Sequence, residues 1–274
     1  PMRLAMLASG LLGGALILLL SYKIQERPAL TRGKPKISFR DYLGFTFSSK
    51  SALVIIGGNF MRIFVQAVTM GAVFYLADYL LNMNGILLMA WLLVPMIIGI
   101  ALTTYVRRAV GVLAAQQIYL VLGGLGLISV FFLPVSLIPL GLALAGFGMG
   151  GPEALTYVLL SQAIDEDELR TGQRREGAFF GTNALLTKPA QSLAIAIPPL
   201  ILEATGFITR EANGGLPFLN QAEPALRGIR LYSGLIPGFA YLIGAAILLL
   251  YPIRGAYKRE LEEKILDLHE EVEE

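Results

Sequence analysis

The chain has 274 residues, 55% of them hydrophobic and only 15% charged, with a formal net charge of +2 and a mean hydropathy of +0.65. Soluble domains carry about 25% charged residues, so this composition argues for a polytopic membrane protein and against a soluble enzyme, a disordered chain or a nucleic-acid binder. Cysteine is absent and the one histidine, His269, lies in a charged tail, which removes disulfide frameworks, thiolate metal sites and histidine-based catalysis. The chain begins at Pro1, which reads as a fragment or a processed product.

A helix crossing the hydrocarbon core of about 30 Å needs roughly 20 mainly apolar residues. Seven stretches qualify, near 3–22, 51–80, 85–106, 111–133, 135–163, 177–202 and 231–252. The expected fold class is all-α, a polytopic bundle of seven transmembrane helices. The first stretch follows Arg3 as a signal peptide would. Tyr22, Lys23, Glu26 and Arg27 then stand where a small-residue cleavage site would be, so it reads as a span. Residues 23–50 form a basic linker. Ser38 and Asp41 fit a capping box, and Phe39, Leu43 and Phe47 recur at helical spacing, as in a short helix lying in the membrane interface. An ordinary basic connector fits the same residues.

Three ionisable residues at membrane depth need partners or water, because burying them in lipid is costly. Arg62 lies mid-span with Asn59 and Gln66 at i−3 and i+4, one polar stripe on one helix face. The stripe suits a hydroxylated or anionic solute, or else a buried cluster that fixes helix packing. Glu153 follows Gly146, Gly148, Gly150, Gly151 and Pro152, with Tyr157 one turn on. Such a run brings helices close together or interrupts the span, and interrupted spans often hold transporter sites. Lys188 sits mid-span in Thr187-Lys188-Pro189, with Gln191 and Ser192 on its face. It is too deep to reach either surface easily, and it calls for a carboxylate partner.

Between the fifth and sixth long spans lies a segment dense in both signs, Asp-Glu-Asp-Glu-Leu-Arg-Thr-Gly-Gln-Arg-Arg-Glu-Gly at 165–177. It reads as a loop held at the mouth of the bundle. Asp165, Arg174, Arg175 and Glu176 can form ion pairs there that open and close with helix movement. In the tail, Leu261, Ile265, Leu268 and Val272 recur at helical spacing, with a Glu260–Lys264 pair at i,i+4. A solvated helix is expected, and no function is assigned to it. Sixteen of the 22 Lys and Arg fall on the side of residues 23–50, 107–108, 170–175 and the tail, against four on the other side. The positive-inside rule then puts the N-terminus outside and the C-terminus in the cytoplasm of a cell (inner) membrane protein.

The pattern Asp-x-Asp-Glu-Leu-x-Thr-Gly-x-Arg-x-Glu-Gly from Asp165 to Gly177, with a lysine about a dozen residues later in the next span, resembles the glycoside–pentoside–hexuronide:cation symporters. That branch of the major facilitator superfamily includes the melibiose permeases, and the animal lysophospholipid symporters are relatives. The resemblance covers essentially the whole chain. It implies helix six of a twelve-helix transporter (1–22), the cytoplasmic central linker (23–50), the C-terminal six-helix bundle (51–252) and a cytoplasmic tail (253–274). By the same resemblance, Lys188 matches the family's functional lysine on helix eleven, and Asp165, Arg174 and Glu176 match its charged network. Two positions depart from the pattern: Glu166 stands where the family usually has Tyr, and Gln162 where it often has a carboxylate. The family's coupling carboxylates lie on N-terminal helices, so Na⁺ or H⁺ is expected to bind in a missing half, and no cofactor or metal site is expected in this chain.

Two other classes fit worse. A heptahelical receptor does not need the charged motif, and a retinal protein wants its lysine in the last span. An intramembrane enzyme needs paired catalytic groups that the spans lack. The expected function is secondary active transport by alternating access: cation-coupled symport of a sugar or glycoside, or of a lysophospholipid or another polar metabolite. Arg62, Gln66, Glu153, Tyr157, Lys188 and Gln191 are expected to line the cavity. The expected partners are a small-molecule substrate, the lipid bilayer and the missing N-terminal half, with no nucleic acid.

Overall fold

The computed structural model of the protein describes residues 2–23, 39–209, 212–214 and 218–273. Among the described residues, seven helical segments are long and apolar enough to cross a membrane. The first, α1 (Met2–Lys23), belongs to a unit of its own, and residues 39–274 form the other. It is apolar on every side, and its described side chains are nearly all exposed, as expected of a helix whose neighbours are lipid or other helices. Ser38 and the side chains of 39–43, on which the capping box and part of the interfacial stripe rest, lie outside the described residues.

The second unit opens with α2 (Phe39–Ser48) and α3 (Lys50–Tyr75). Ser49 separates them and caps α3, its hydroxyl accepting from the Ala52 N–H at 3.2 Å, which satisfies one of the free donors at a helix start. A π turn (Leu76–Leu81) carries α3 on to Asn82, whose φ of 46° ends the span. Asn84 caps α4 (Gly85–Val110) through the Ile86 N–H at 2.8 Å. Arg107 and Arg108 close α4, where their charge suits the helix dipole. The turn into α5 (Val112–Phe132) is the single residue Gly111 at φ 86°, a conformation only glycine adopts cheaply. After a 3₁₀ turn (Val135–Leu137) come α6 (Ile138–Thr171) and α7 (Glu176–Ala204). The last span runs through α8 (Glu223–Arg230), a π turn (Leu231–Leu235), α9 (Ile236–Ile247) and a 3₁₀ turn (Leu248–Leu250). The tail is α10 (Gly255–Glu273).

Helix α6 is the centre of the unit and packs on α4 and α5, while α9 packs on α5 and α3, and α7 lies chiefly along α3. Glycine makes the α6 contacts possible. A Cβ at Gly146 or Gly150 would fall on the carbonyl of Leu92 or Met96 in α4, and one at Gly148 on the backbone of Gly123 in α5. The small residues are reciprocal, since Gly99 of α4 and Gly126 of α5 meet Phe147 and Ala145 in the same way. This close packing is the role of the run before Glu153. The expectation of an interrupted span is corrected: α6 is one continuous 34-residue helix through Pro152.

Two boundaries and the exposure of the tail are corrected with it. The expected loop at 165–177 is helical as far as Thr171. At 1.5 Å per residue, α6 is about 51 Å long, so its charged end stands clear of a 30 Å hydrocarbon layer. Gly172 at φ 69° terminates it, its N–H bonded to the Glu168 carbonyl at 2.7 Å. The seventh span begins at Glu223 rather than 231, with Pro224 in its first turn and Arg227 paired to Glu223 at 3.2 Å. The tail helix is not fully solvated: Leu261 and Ile265 are buried against the bundle.

The glycine seam predicts a sharp contrast. Gly148→Val pushes a branched side chain into the α5 backbone and exceeds the 1–3 kcal/mol typical of overpacking, so the variant loses monodisperse protein in detergent chromatography. Gly181→Ala, where a Cβ meets open space, keeps the wild-type yield.

Candidate functional site

The polar stripe of α3 is the hub of a buried cluster drawn from three spans. Arg62 is 5% exposed. Its Nε donates to Asn59 Oδ1 at 2.8 Å and its Nη1 to Gln66 Oε1 at 3.3 Å, both neighbours on its own helix. The same Nη1 forms an ion pair with Glu153 of α6. Asn59 passes the connection to α7, its Nδ2 donating to Asn183 Oδ1 at 2.9 Å. The guanidinium is thus compensated inside the bundle by one carboxylate and two amides, as a charge at this depth requires. Arg62 is itself enclosed, whereas the side chain of Glu153 is 38% exposed. Tyr157, one turn along α6, is exposed and lies against the ring of Phe180 in α7.

Lys188 and Gln191 are not gathered into this cluster. Both are exposed on α7, with Ser192 beside them, and among the described residues no carboxylate pairs with Lys188. The buried face of α7 is the adjacent one, carrying Thr182, Asn183 and Thr187. The structure therefore joins Arg62, Gln66 and Glu153 directly and leaves Lys188 as an open cation on an uncovered face of the bundle.

At the other end of α6 the charged residues form two interlocked sets. Arg174 Nη1 bonds Asp165 at 3.1 Å and Glu168 at 2.6 Å, and its Nε bonds Glu176 at 2.7 Å. Partial burial works against that charge, but the bonds to Glu176 and Glu168 outweigh it and raise the Arg174 pKa. Arg175 grips Asp167 with both arms of its fork, Nε at 2.9 Å and Nη2 at 2.8 and 2.7 Å, and lies 3.8 Å from the centre of the Phe45 ring in α2. Glu166, between the two sets, accepts from the Ser51 hydroxyl at the start of α3 and from the Tyr257 hydroxyl of α10 at 2.8 Å. Burial and this bond push the Tyr257 hydroxyl up to about 12. Gln162 receives the Tyr251 hydroxyl at 3.4 Å. The two departures from the family pattern thus hold the tail segment to α6.

Sequence reading missed four participants. Asn183 was signalled only by the buried four-residue spacing to Thr187. Asp167 and Glu168 stand inside the charged motif, and their partners depend on where α6 ends. Phe45 lies outside the Phe39, Leu43, Phe47 stripe.

The described residues form a helical bundle of membrane-spanning length, with a compensated polar core and a cluster of ion pairs at one end. The sequence matches the family described as MFS/sugar transport protein over residues 2–255, and the chain belongs to that family. It is 25% identical to the uncharacterized symporter YnaJ of Bacillus subtilis over 93% of this chain and 55% of that protein. It is 26% identical to the glucuronide carrier protein homolog of Escherichia coli over 76% of this chain and 45% of that one. An uncharacterized symporter of Synechocystis, sll1374, is 33% identical over 44% of this chain and 22% of its own length. The chain thus spans about half or less of the curated relatives it matches.

The Arg175–Asp167 pair is nearly solvent-free, at 7% and 1% side-chain exposure. Removing one member leaves the other charge buried, at a cost of about 3–5 kcal/mol. Arg175→Leu and Asp167→Leu should each lower the thermal midpoint of the purified protein steeply. The double variant should recover part of the loss, which a double-mutant cycle reads directly.

Proposed function

We propose that this chain supplies helix six, the central linker and the C-terminal six-helix bundle of a twelve-helix, cation-coupled symporter for a sugar or glycoside. Residues 1–22 are the sixth helix, 23–50 the linker, 51–252 the bundle and 253–274 the tail. The protein works in the cell membrane with the N-terminus of this chain outside and its C-terminus in the cytoplasm. The coupling Na⁺ or H⁺ binds in the partner half. The observation that carries the reading is Lys188, a mid-span cation with no partner among the described residues, flanked by Gln191 and Ser192 on an exposed face. A lone ammonium at membrane depth needs a counter-charge, and a midplane cleft between two halves provides one. Glu153 and Tyr157 face the same cleft from α6, and Arg62 and Gln66 hold Glu153 in place. Family membership and the symporter and carrier names of the relatives support the reading. The charged network around Arg174 and Arg175 closes and opens the cytoplasmic end.

The test is ion-gradient-driven uptake by the full-length protein in proteoliposomes, across a panel of neutral glycosides, a glucuronide and a lysophospholipid. Gradient-driven uptake of a sugar is expected. Uptake of the lysophospholipid alone, or of none of the panel, overturns the sugar assignment. At matched expression, Lys188→Met should insert normally and reduce uptake by on the order of a hundredfold, because the partner carboxylate is left uncompensated. Wild-type uptake in that variant removes Lys188 from the mechanism.

Orientation has its own test. This chain has no cysteine, so a Gln173→Cys reporter in an otherwise cysteine-free protein is labelled by an impermeant maleimide only from the cytoplasmic side. Labelling from outside intact cells reverses the topology.

A further inference from the structure

The helix that carries Lys188 is held by an unusual seam. Between Phe179 and Leu202, which are buried near its two ends, the buried face of α7 carries only Thr182, Asn183, Thr187, Ala190 and Ala194. Small side chains fit closely but interlock weakly, so this middle stretch does little by itself to fix the register of α7. Along that stretch, where Lys188 lies, dispersion and area therefore do little to fix its depth. Among the described residues, a single side-chain hydrogen bond joins α3 to α7, that from Asn59 to Asn183 at 2.9 Å. Both amides are buried, at 0% and 5% exposure.

The direction of that bond is set by Arg62, on α3 itself. Arg62 has only donors, so Asn59 must turn its Oδ1 toward Nε, at 2.8 Å. Its amide group is then committed to facing Asn183. Arg62 is in turn tied to Glu153, the exposed end of the chain of bonds. We propose that Asn183 is a positioning residue: the relay from Glu153 through Arg62 and Asn59 to Asn183 sets the register of α7 and so the depth at which Lys188 enters the cleft. A solute or cation that engages the Glu153 carboxylate acts on α7 through this relay. The inference rests on the reading of Lys188 given above, but its first readout needs no substrate.

The experiment uses the full-length protein made cysteine-free, with Ser192→Cys as a reporter on the exposed face one turn from Lys188. The probe is a small cationic methanethiosulfonate reagent, and the readout is the rate of modification. Asn183→Leu removes the acceptor at nearly constant volume and should change the rate by about tenfold, the scale of one lost buried hydrogen bond. Asn183→Asp keeps an acceptor for Asn59 and should bring the rate back toward wild type. Thr187→Val is the control. It lies on the same buried face, and its hydroxyl bonds only carbonyls of its own helix, Asn183 at 2.7 Å and Ala184 at 3.4 Å, so the rate should hold within about twofold. If Asn183→Leu does not insert, Asn59→Ser breaks the same bond from the other side and carries the same expectation. An unchanged rate in the bond-breaking variant, no recovery in Asn183→Asp, or an equal change in Thr187→Val overturns the positioning role. Uptake assays on the same proteins keep the two readings apart. A shifted rate in a protein that transports no sugar sinks the substrate assignment alone.

Discussion

Backbone-to-backbone contact along α6 is the constraint on which the rest of the bundle depends. Gly146 and Gly150 bring α6 against the carbonyls of α4, and Gly148 brings it against α5. In lipid there is little hydrophobic gain from bringing helices together, so association rests on close packing and on polar bonds that have no better partner. The seam provides both. Tyr119 of α5 crosses it to donate to the Gly99 carbonyl of α4 at 3.0 Å, and Gln116 reaches the Thr156 hydroxyl of α6 at 3.2 Å. With α6 fixed in this way, Glu153 is delivered to Arg62 on one side and the 165–171 end is delivered to the charged turn on the other.

Charge in this chain is handled in two regimes. At membrane depth Arg62 is neutralised by geometry, with one carboxylate and two amides of its own helix, while Lys188 is left open. At the end of α6 the ions are many and compensate one another in sets, the Asp167–Arg175 grip almost dry and the Arg174 set partly wet. Exposed pairs such as Arg227–Glu223 and Lys264–Glu260 add little by comparison. The buried pairs carry the cost of being broken, and they join α2, α6 and the start of α7 into one patch.

Hydropathy read the spans well because lipid demands long apolar runs, and it read their ends poorly because it detects the membrane edge rather than the end of a helix. Residues 165–171 look like a loop for that reason, although Gly172 is an ordinary stop signal, and the seventh span looks eight residues too short despite Glu223-Pro224. Of the polar residues, the Asn59, Arg62 and Gln66 face was legible from spacing within one helix. The Arg62–Glu153 pair was not, because its partners are 91 positions apart and meet only through the packing of α6. The same holds for Asn59–Asn183. The run before Glu153 was read partly as a break in the helix, since glycine and proline weaken an isolated helix. Neighbours that need close approach turn the same residues into an asset.

The length of α6 has a mechanical consequence. A helix of about 51 Å gripped by glycine contacts in its first half is a rigid rod with a fulcrum, and the part that clears the bilayer lies on its long arm. A tilt of about 10° about Gly148 carries Thr171, about 35 Å away along the helix, by about 6 Å, a little more than a helical turn. The glycine seam itself need move very little for this. Because Asp167 holds Arg175 and thereby Phe45 of α2, while Glu166 holds Ser51 and Tyr257, the tip cannot swing without dragging α2, the start of α3 and α10 along with it. Small motions within the lipid are geared to large ones in the water beyond it.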